Sequence, residues 1–371
     1  MNNIDNKLKE ALELNALYKP AFFRLSKTTD KTAFEALINS SNVVFVHDEI
    51  ENQLKELMKC MNPSRPMNNE ALEVEAKKHI GNTPLNEYGV WVYYPWCKTV
   101  VHLLDEAEFI IVRTNRNQLK ITKEEQEALR NKTIGIIGLS VGQSIALTLA
   151  MERTCGSIRL ADFDTLELSN VNRIRTSVKN LGLSKVVLAA REIVELDPFI
   201  HVDIYDKGIT PENIEEFLSG NGKLDILVEV CDGLDMKIFS RKAAKTMKIP
   251  VVMDTNDRGM LDIERFDLEA DRPIMHGLLE GIPTEDLGSL TPEQRMALIM
   301  QIVGATSISK RLKLSIGEMG KTIGSLPQLA SSVVLGGAVT TDVCRRILLD
   351  ELSLSGRFYI DLEQIIAPTE V

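Results

Sequence analysis

TIGIIGLSVGQSIALTLAMERTCGSIRLADFDTLELSNVN, residues 133–172, decides the fold. An apolar strand, Thr133–Ile137, runs into a glycine-bearing turn. A helix follows over Val141–Arg153, and a second strand, Ser157–Ala161, ends in Asp-Phe-Asp. That succession is the layout of a nucleotide-binding βαβ unit. Downstream the alternation continues. Strands are expected at Val202–Tyr205, Asp225–Val230 and Val251–Asp254, and helices at Ser184–Leu196, Pro211–Leu218 and Leu234–Met247. Strands alternating with helices specify an α/β fold: a Rossmann-like, doubly wound, mainly parallel sheet.

Outward from this core the patterns change. Residues 1–110 read as an added N-terminal α+β region. Helical spacing occurs at Lys7–Leu17 and Glu49–Met61, strands at Val43–His47 and Val90–Tyr94, and a loop at Pro63, Pro66 and Asn68–Asn69. Glu108–Arg113 (EFIIVR) reads as a strand, and Ile121–Arg130 as a helix capped by Thr122 with Glu125 three residues on. Residues 111–131 then form an arm and helix, 132–260 the core, and 261–371 a crossover and C-terminal part. From Asp262 the pattern is irregular, with helices expected at Thr291–Ile302, where Pro292 takes the first position, and within Leu326–Leu349.

Composition bounds the function. A chain of 371 residues that is 44% hydrophobic folds into a sizeable core. The formal net charge of −10 opposes a polyanion, so nucleic acid is not expected as a main partner. Five scattered cysteines form no C-x-x-C pair, so no zinc is expected and the thiols read as reduced, as in a cytoplasm. The polar N-terminus is not a signal peptide, and no apolar run is long enough to span a bilayer.

The chemistry-bearing residues cluster in the core. Gly138, Ser140 and Gly142 shape the turn after the first strand, and the following helix presents N–H groups and a positive dipole end to an anion. Alone, this loop is equally a plain strand–helix turn. Asp162, with Asp164 two residues on, stands where a carboxylate accepts hydrogen bonds from a ribose diol, although strand-end carboxylates are also commonly just solvated. Asn170 and Arg173 follow, an amide and a guanidinium within reach of phosphates. Lys185 begins a helix, where its charge opposes the dipole unless an anion is bound. Asp232 follows the apolar strand Ile226–Val230, at the end where ligands collect. It is either a Mg²⁺-holding carboxylate or a helix N-cap. Asp254–Gly259 (DTNDRG) lines a substrate channel or is a polar turn.

Taken together these residues resemble the ThiF/MoeB/HesA family, ATP-dependent activators related to ubiquitin-activating enzymes. The pattern is a glycine loop (Gly138–Gly142), D-x-D (Asp162/Asp164), N-x-x-R (Asn170/Arg173), a Lys after a short Gly-containing loop (Lys185) and an Asp after a later strand (Asp232). Arg113-Thr114-Asn115-Arg116 before an acidic helix matches the family's R-x-x-R arm. The resemblance spans about residues 110–350 and extends to a bacterial subgroup with an N-terminal extension. Where the family carries Asn after the metal-binding Asp, this chain has Gly233.

The resemblance implies adenylation with ATP and Mg²⁺ in a homodimer. Arg116 would reach the partner subunit's ATP site, Arg173 and Lys185 would stabilise charge, and Asp232 would hold Mg²⁺. The substrate would be a carboxylate, such as the C-terminus of a small ubiquitin-like protein or peptide. No general base is needed, because a carboxylate is already ionised near neutral pH. Two alternatives stay open: an NAD-dependent oxidoreductase, and an inactive nucleotide-binding or scaffold subunit of the same fold.

Overall fold

Seven strands build the larger of two sheets, in a computed structural model that describes residues 2–281, 287, 290–304 and 307–367. The chain divides into two compact units. The first is Met1–Glu124 with Val194–Phe199, and the second is Glu125–Ile193 with Ile200–Val371.

In the first unit the elements are α1 (Asn2–Leu14), β1 (Ala21–Phe23), α2 (Thr28–Ile38), β2 (Phe45–Asp48), α3 (Ile50–Met61), α4 (Asn69–Ile80), β3 (Val90–Tyr94), β4 (Thr99–Leu103) and α5 (Glu106–Arg113). The strands pair in the order β1-β3-β4-β2, with only β2–β4 parallel. Ile50, Leu54, Leu57 and Met58 of α3 pack against Leu72 and Ala76 of α4, the i, i+4 spacing that puts one apolar face inward.

Two readings change here. EFIIVR is the end of helix α5, not a strand. The Asp105 carboxylate accepts the Glu106 N–H at 2.7 Å, and Phe109 and Val112 pack on the α3/α4 core at helical spacing. A cap with acidic residues in the first turn outweighs the β-branched run. Asn69, expected in a loop, begins helix α4, which Asn68 caps by accepting from Ala71 N at 2.9 Å.

The second unit takes in α6 (Lys123–Arg130) from Glu125 on, β5 (Thr133–Ile137), α7 (Leu139–Glu152), β6 (Ser157–Ala161), α8 (Lys185–Leu196) as far as Ile193, β7 (His201–Tyr205), α9 (Ile214–Ser219), β8 (Ile226–Glu229), α10 (Leu234–Thr246) and β9 (Val251–Thr255). Strands β9-β8-β5-β6-β7 are mutually parallel, which makes this the doubly wound sheet. The order reverses between β5 and β8. That crevice, at the carboxyl ends of the strands, is where ligands of such sheets bind. The core beneath it includes Ile137, Ala161, Phe217, Leu227 and Val251.

Past residue 255 the sequence misled. Met260–Glu264 is a strand, β10, antiparallel to β9 and wholly buried. Its two acidic side chains disguised it, because both are ion-paired inside the protein. After it come α11 (Pro292–Val303), α12 (Lys310–Glu318), the single long helix α13 (Ala330–Leu348), β11 (Gly356–Tyr359) antiparallel to β10, and α14 (Leu362–Ile365). Among the described residues no helix is long and apolar enough to cross a membrane.

Candidate active site

Strand β5 is followed by Gly138, whose φ of +91° turns the chain straight into α7. A Cβ there would lie 2.8 Å from the backbone N and Cα of Cys231, so β5 and β8 meet at this point with room only for glycine. Gly142 lies one turn into α7, against Ile136 and Val230. Its missing side chain serves close helix–sheet packing.

The Asp162 carboxylate binds the turn from the neighbouring strand. One oxygen accepts the Leu139 N–H at 2.6 Å and the other the Asp164 N–H at 2.8 Å. Burial pushes this carboxyl up, partly offset by those two N–H bonds and by Lys185. Asp162 thus caps α7 in place of Gly138, which has no side chain to do so.

Residues 163–184 fold back on themselves. Leu166 N donates to Leu183 O at 2.8 Å and Gly182 N to Leu166 O at 2.9 Å. This pairing carries the first residue of α8 to the strand end. Lys185 Nζ reaches Asp164 Oδ2 at 2.8 Å, although Lys185 is only 6% exposed. Within the loop, Asn170 is buried and accepts the Glu167 N–H at 3.0 Å, closing a short turn. That turn aims Arg173 at α7, and Arg173 Nε donates to Ser140 Oγ at 3.1 Å. Gln143 holds the loop from beneath, accepting the Arg175 N–H at 3.1 Å.

The structure therefore brings together Gly138, Ser140, Gly142, Asp162, Asp164, Asn170, Arg173 and Lys185. Asp232 stands exposed just past the end of β8, next to Cys231, whose backbone abuts Gly138. Arg116 belongs to the first unit, exposed on the single turn Asn115–Asn117. No cluster of three or more His, Cys, Asp or Glu side chains is placed to hold an ion among the described residues. The Cys231 thiol is pushed up by burial and by Glu229, so it is held as the unreactive thiol.

Two groups at this end of the sheet escaped the sequence reading. Glu229 interrupts the apolar run ILVEV and is fully buried. A lone carboxylate in a central strand was the available signal. Asp254, seen only as part of a polar run, is 5% exposed, and its Oδ2 has no hydrogen-bond partner. It faces Gly336 of α13, where a Cβ would collide with it.

Burial raises the Asp254 carboxyl to about 7. The unfolded chain ionises this group near pH 4. The folded state holds a proton that the unfolded state releases, so stability falls as pH rises from about 4 to about 7 and stays reduced above. Asp254→Asn is therefore expected to be about 2–4 kcal/mol more stable than wild type at pH 8, with the gain vanishing near pH 4. Urea unfolding across that range checks it, and parallel pH profiles for the two proteins would contradict it.

Against this geometry stand the likenesses to known proteins. The sequence model of the ThiF family matches residues 114–336. Uncharacterized protein MT1398 of Mycobacterium tuberculosis (strain CDC 1551 / Oshkosh) is 44% identical over 278 residues, 75% of this chain and 38% of that protein. The tRNA threonylcarbamoyladenosine dehydratase of Bacillus subtilis (strain 168) is 28% identical over 155 residues, 42% of this chain and 60% of that enzyme. Among solved structures, the E. coli tRNA N6-threonylcarbamoyladenosine dehydratase TcdA in complex with ATP has a TM-score of 0.46 at 18% identity, covering 64% of this chain and 94% of that one. The chain thus spans 38% to 60% of the length of these two curated relatives. The family match runs across more than half of the chain, from the arginine arm into the last long helix, and on that ground the chain belongs to the ThiF family.

Proposed function

We propose that the chain is an ATP-dependent adenylyltransferase that activates a carboxylate as its acyl-adenylate. The observation that carries this reading is the placing of two cations around the open first turn of α7. Arg173 rests on Ser140, and Lys185 is buried beside Asp164. Gly138 N donates to Ala161 O and Leu139 N to Asp162, and the Ser140 and Val141 amides that follow in the first turn would face a phosphate. Asp164, with 52% of its side chain exposed, presents a carboxylate to a ribose diol, while Asp162 and Asn170 hold the surrounding backbone.

A substrate carboxylate oxygen would attack the α-phosphorus. The bond from that phosphorus to the bridging oxygen breaks, and pyrophosphate leaves with the electron pair. Arg173 and Lys185 would stabilise charge building on the phosphoryl oxygens. Asp232 would hold Mg²⁺ as one carboxylate, which suits an ion that takes most of its ligands from phosphates and water.

For partners we propose a homodimer in which Arg116 enters the other subunit's site. This role rests on the match of Arg113–Arg116 to the family's R-x-x-R arm, with Arg116 exposed on its turn. A peptide or small ubiquitin-like protein tail fits the requirement for a free carboxylate. The Bacillus relative is named for a tRNA, but a net charge of −10 disfavours a polyanion here. An NAD-dependent oxidoreductase would leave Lys185 and the Arg173–Ser140 pair without a role. We further propose a cytoplasmic setting, in keeping with five free cysteines.

The testing experiment is exchange of labelled pyrophosphate into ATP, stimulated by a candidate carboxylate peptide. Stimulated exchange supports the reading. An ATP-binding chain that shows no exchange across a panel of carboxylates would point to the scaffold alternative instead.

A further inference from the structure

Behind the turn that carries Asp232 runs a chain of buried charges that adenylation itself does not use. The Glu229 carboxylate, fully buried, accepts the Cys231 N–H at 2.9 Å and pairs with Lys237 Nζ at 3.1 Å and with Arg241. Arg241 is also fully buried and donates onward to Glu264 at 2.8 Å. The other Glu264 oxygen accepts the Met275 N–H at 2.6 Å. Beside it, Asp262 pairs with His276 at 2.5 Å and with Arg357 at 2.6 Å.

Met275 and His276, at φ of +50° and +54°, form a left-handed turn completed by Gly277 at +82°. Two adjacent non-glycine residues hold that conformation only where their surroundings impose it. Here the surroundings are the two carboxylates of β10. Glu229 stays ionised: burial alone would raise it, but Lys237 and Arg241 together hold it at about 2.

Such a chain is costly to bury and is a poor device for stability alone. Arg241 Nη2 lies buried without a partner, which adds to the cost. What the chain does accomplish is to end on a backbone N–H at each extremity, Cys231 beside Asp232 and Met275 in the left-handed turn.

We propose that Glu229 is a positioning residue that fixes the Asp232 turn, and that Glu229–Arg241–Glu264 couples this turn to the one at Met275–His276. The part concerning Asp232 rests on its proposed hold on Mg²⁺, whereas the coupling does not.

Two measurements on the full chain separate these parts. The first is site-resolved amide exchange without nucleotide. Glu229→Gln and Glu264→Gln are each expected to accelerate both the Cys231 and the Met275 amides, by about tenfold for the nearer one. Acceleration confined to the nearer amide in both variants overturns the coupling. If Glu229→Gln does not fold, Lys237→Met takes its place, because it strips a partner from Glu229 at the rim. An unchanged Cys231 amide in that variant overturns the role of Glu229.

The second measurement is ATP affinity as a function of Mg²⁺. Glu229→Gln is expected to raise the half-saturating Mg²⁺ concentration about tenfold while leaving affinity in EDTA unchanged. An unchanged Mg²⁺ dependence overturns the positioning role. If the wild-type chain itself shows no Mg²⁺-dependent ATP binding, it is the adenylation reading that fails, and the exchange result still decides the coupling.

Discussion

Arg173→Ala and Lys185→Ala are each expected to lower carboxylate-stimulated pyrophosphate exchange by about 10²–10³-fold while leaving the chain folded. The size of the effect follows from what each cation faces. Arg173 donates to Ser140 at 3.1 Å, so its guanidinium lies over the helix turn proposed to take the phosphates. Lys185 is buried at the start of α8, where its ammonium opposes the helix dipole and is balanced only in part by the half-exposed Asp164. A phosphate oxygen gaining charge in the transition state loses most of its stabilisation when either is removed.

The fold has little stake in Arg173 and a modest one in Lys185, which is buried. Arg173 is partly exposed and bonds mainly within its own loop, to Ser169 O and Asn172 Oδ1. Removing Lys185 leaves an Asp164 that water already reaches. Unfolding curves should therefore move little for Arg173→Ala and further, though short of unfolding, for Lys185→Ala, and full exchange activity in both variants would refute the assigned roles.

Gly138→Ala is expected to destabilise the chain by roughly 2–5 kcal/mol, combining a left-handed conformation that alanine resists with overpacking against a strand. The added methyl would sit 2.8 Å from the backbone N and Cα of Cys231, two residues past the end of β8, and backbone cannot swing aside as a flexible side chain does. Relief requires β5 and β8 to part at the switch point. ATP binding should fall with stability, because the same shift disturbs the Leu139 N–H held by Asp162. Equilibrium urea unfolding measures the cost. A change under about 0.5 kcal/mol, the range of neutral surface substitutions, would show that this turn is not the tight crossing described here.

Much of this arrangement was legible in the sequence, for identifiable reasons. Buried parallel strands are continuous apolar runs, and TIGII and SIRLA stand out between a glycine turn and a helix, so Thr133–Ile137 and Ser157–Ala161 coincide with β5 and β6. The grouping of the D-x-D strand end with Arg173 and Lys185 was legible as a motif. What the motif did not contain was the division of labour. Asp162 turns inward to cap α7, while Asp164 faces outward to Lys185.

Elements stayed hidden wherever polar residues are buried and paired. Strand β10 carries Asp262 and Glu264 inside, matched to Arg357 and Arg241 that lie far off in sequence, so its pattern imitates a loop. Glu229 was passed over for the same reason. Helix α5 was obscured differently: Ile110, Ile111 and Val112 favour a strand locally, and only the cap at Asp105 and the packing of Phe109 and Val112 decide for a helix.

The most direct trial of the central claim, that the crevice between β5 and β8 grips a nucleoside triphosphate, is a comparison of ligand-induced stabilisation of the full chain by ATP·Mg²⁺ and by NAD. ATP·Mg²⁺ at about 100 times its Kd is expected to add roughly 2.7 kcal/mol to the unfolding free energy, while NAD at the same concentration adds nothing measurable. Stabilisation by NAD together with indifference to ATP·Mg²⁺ would contradict that claim.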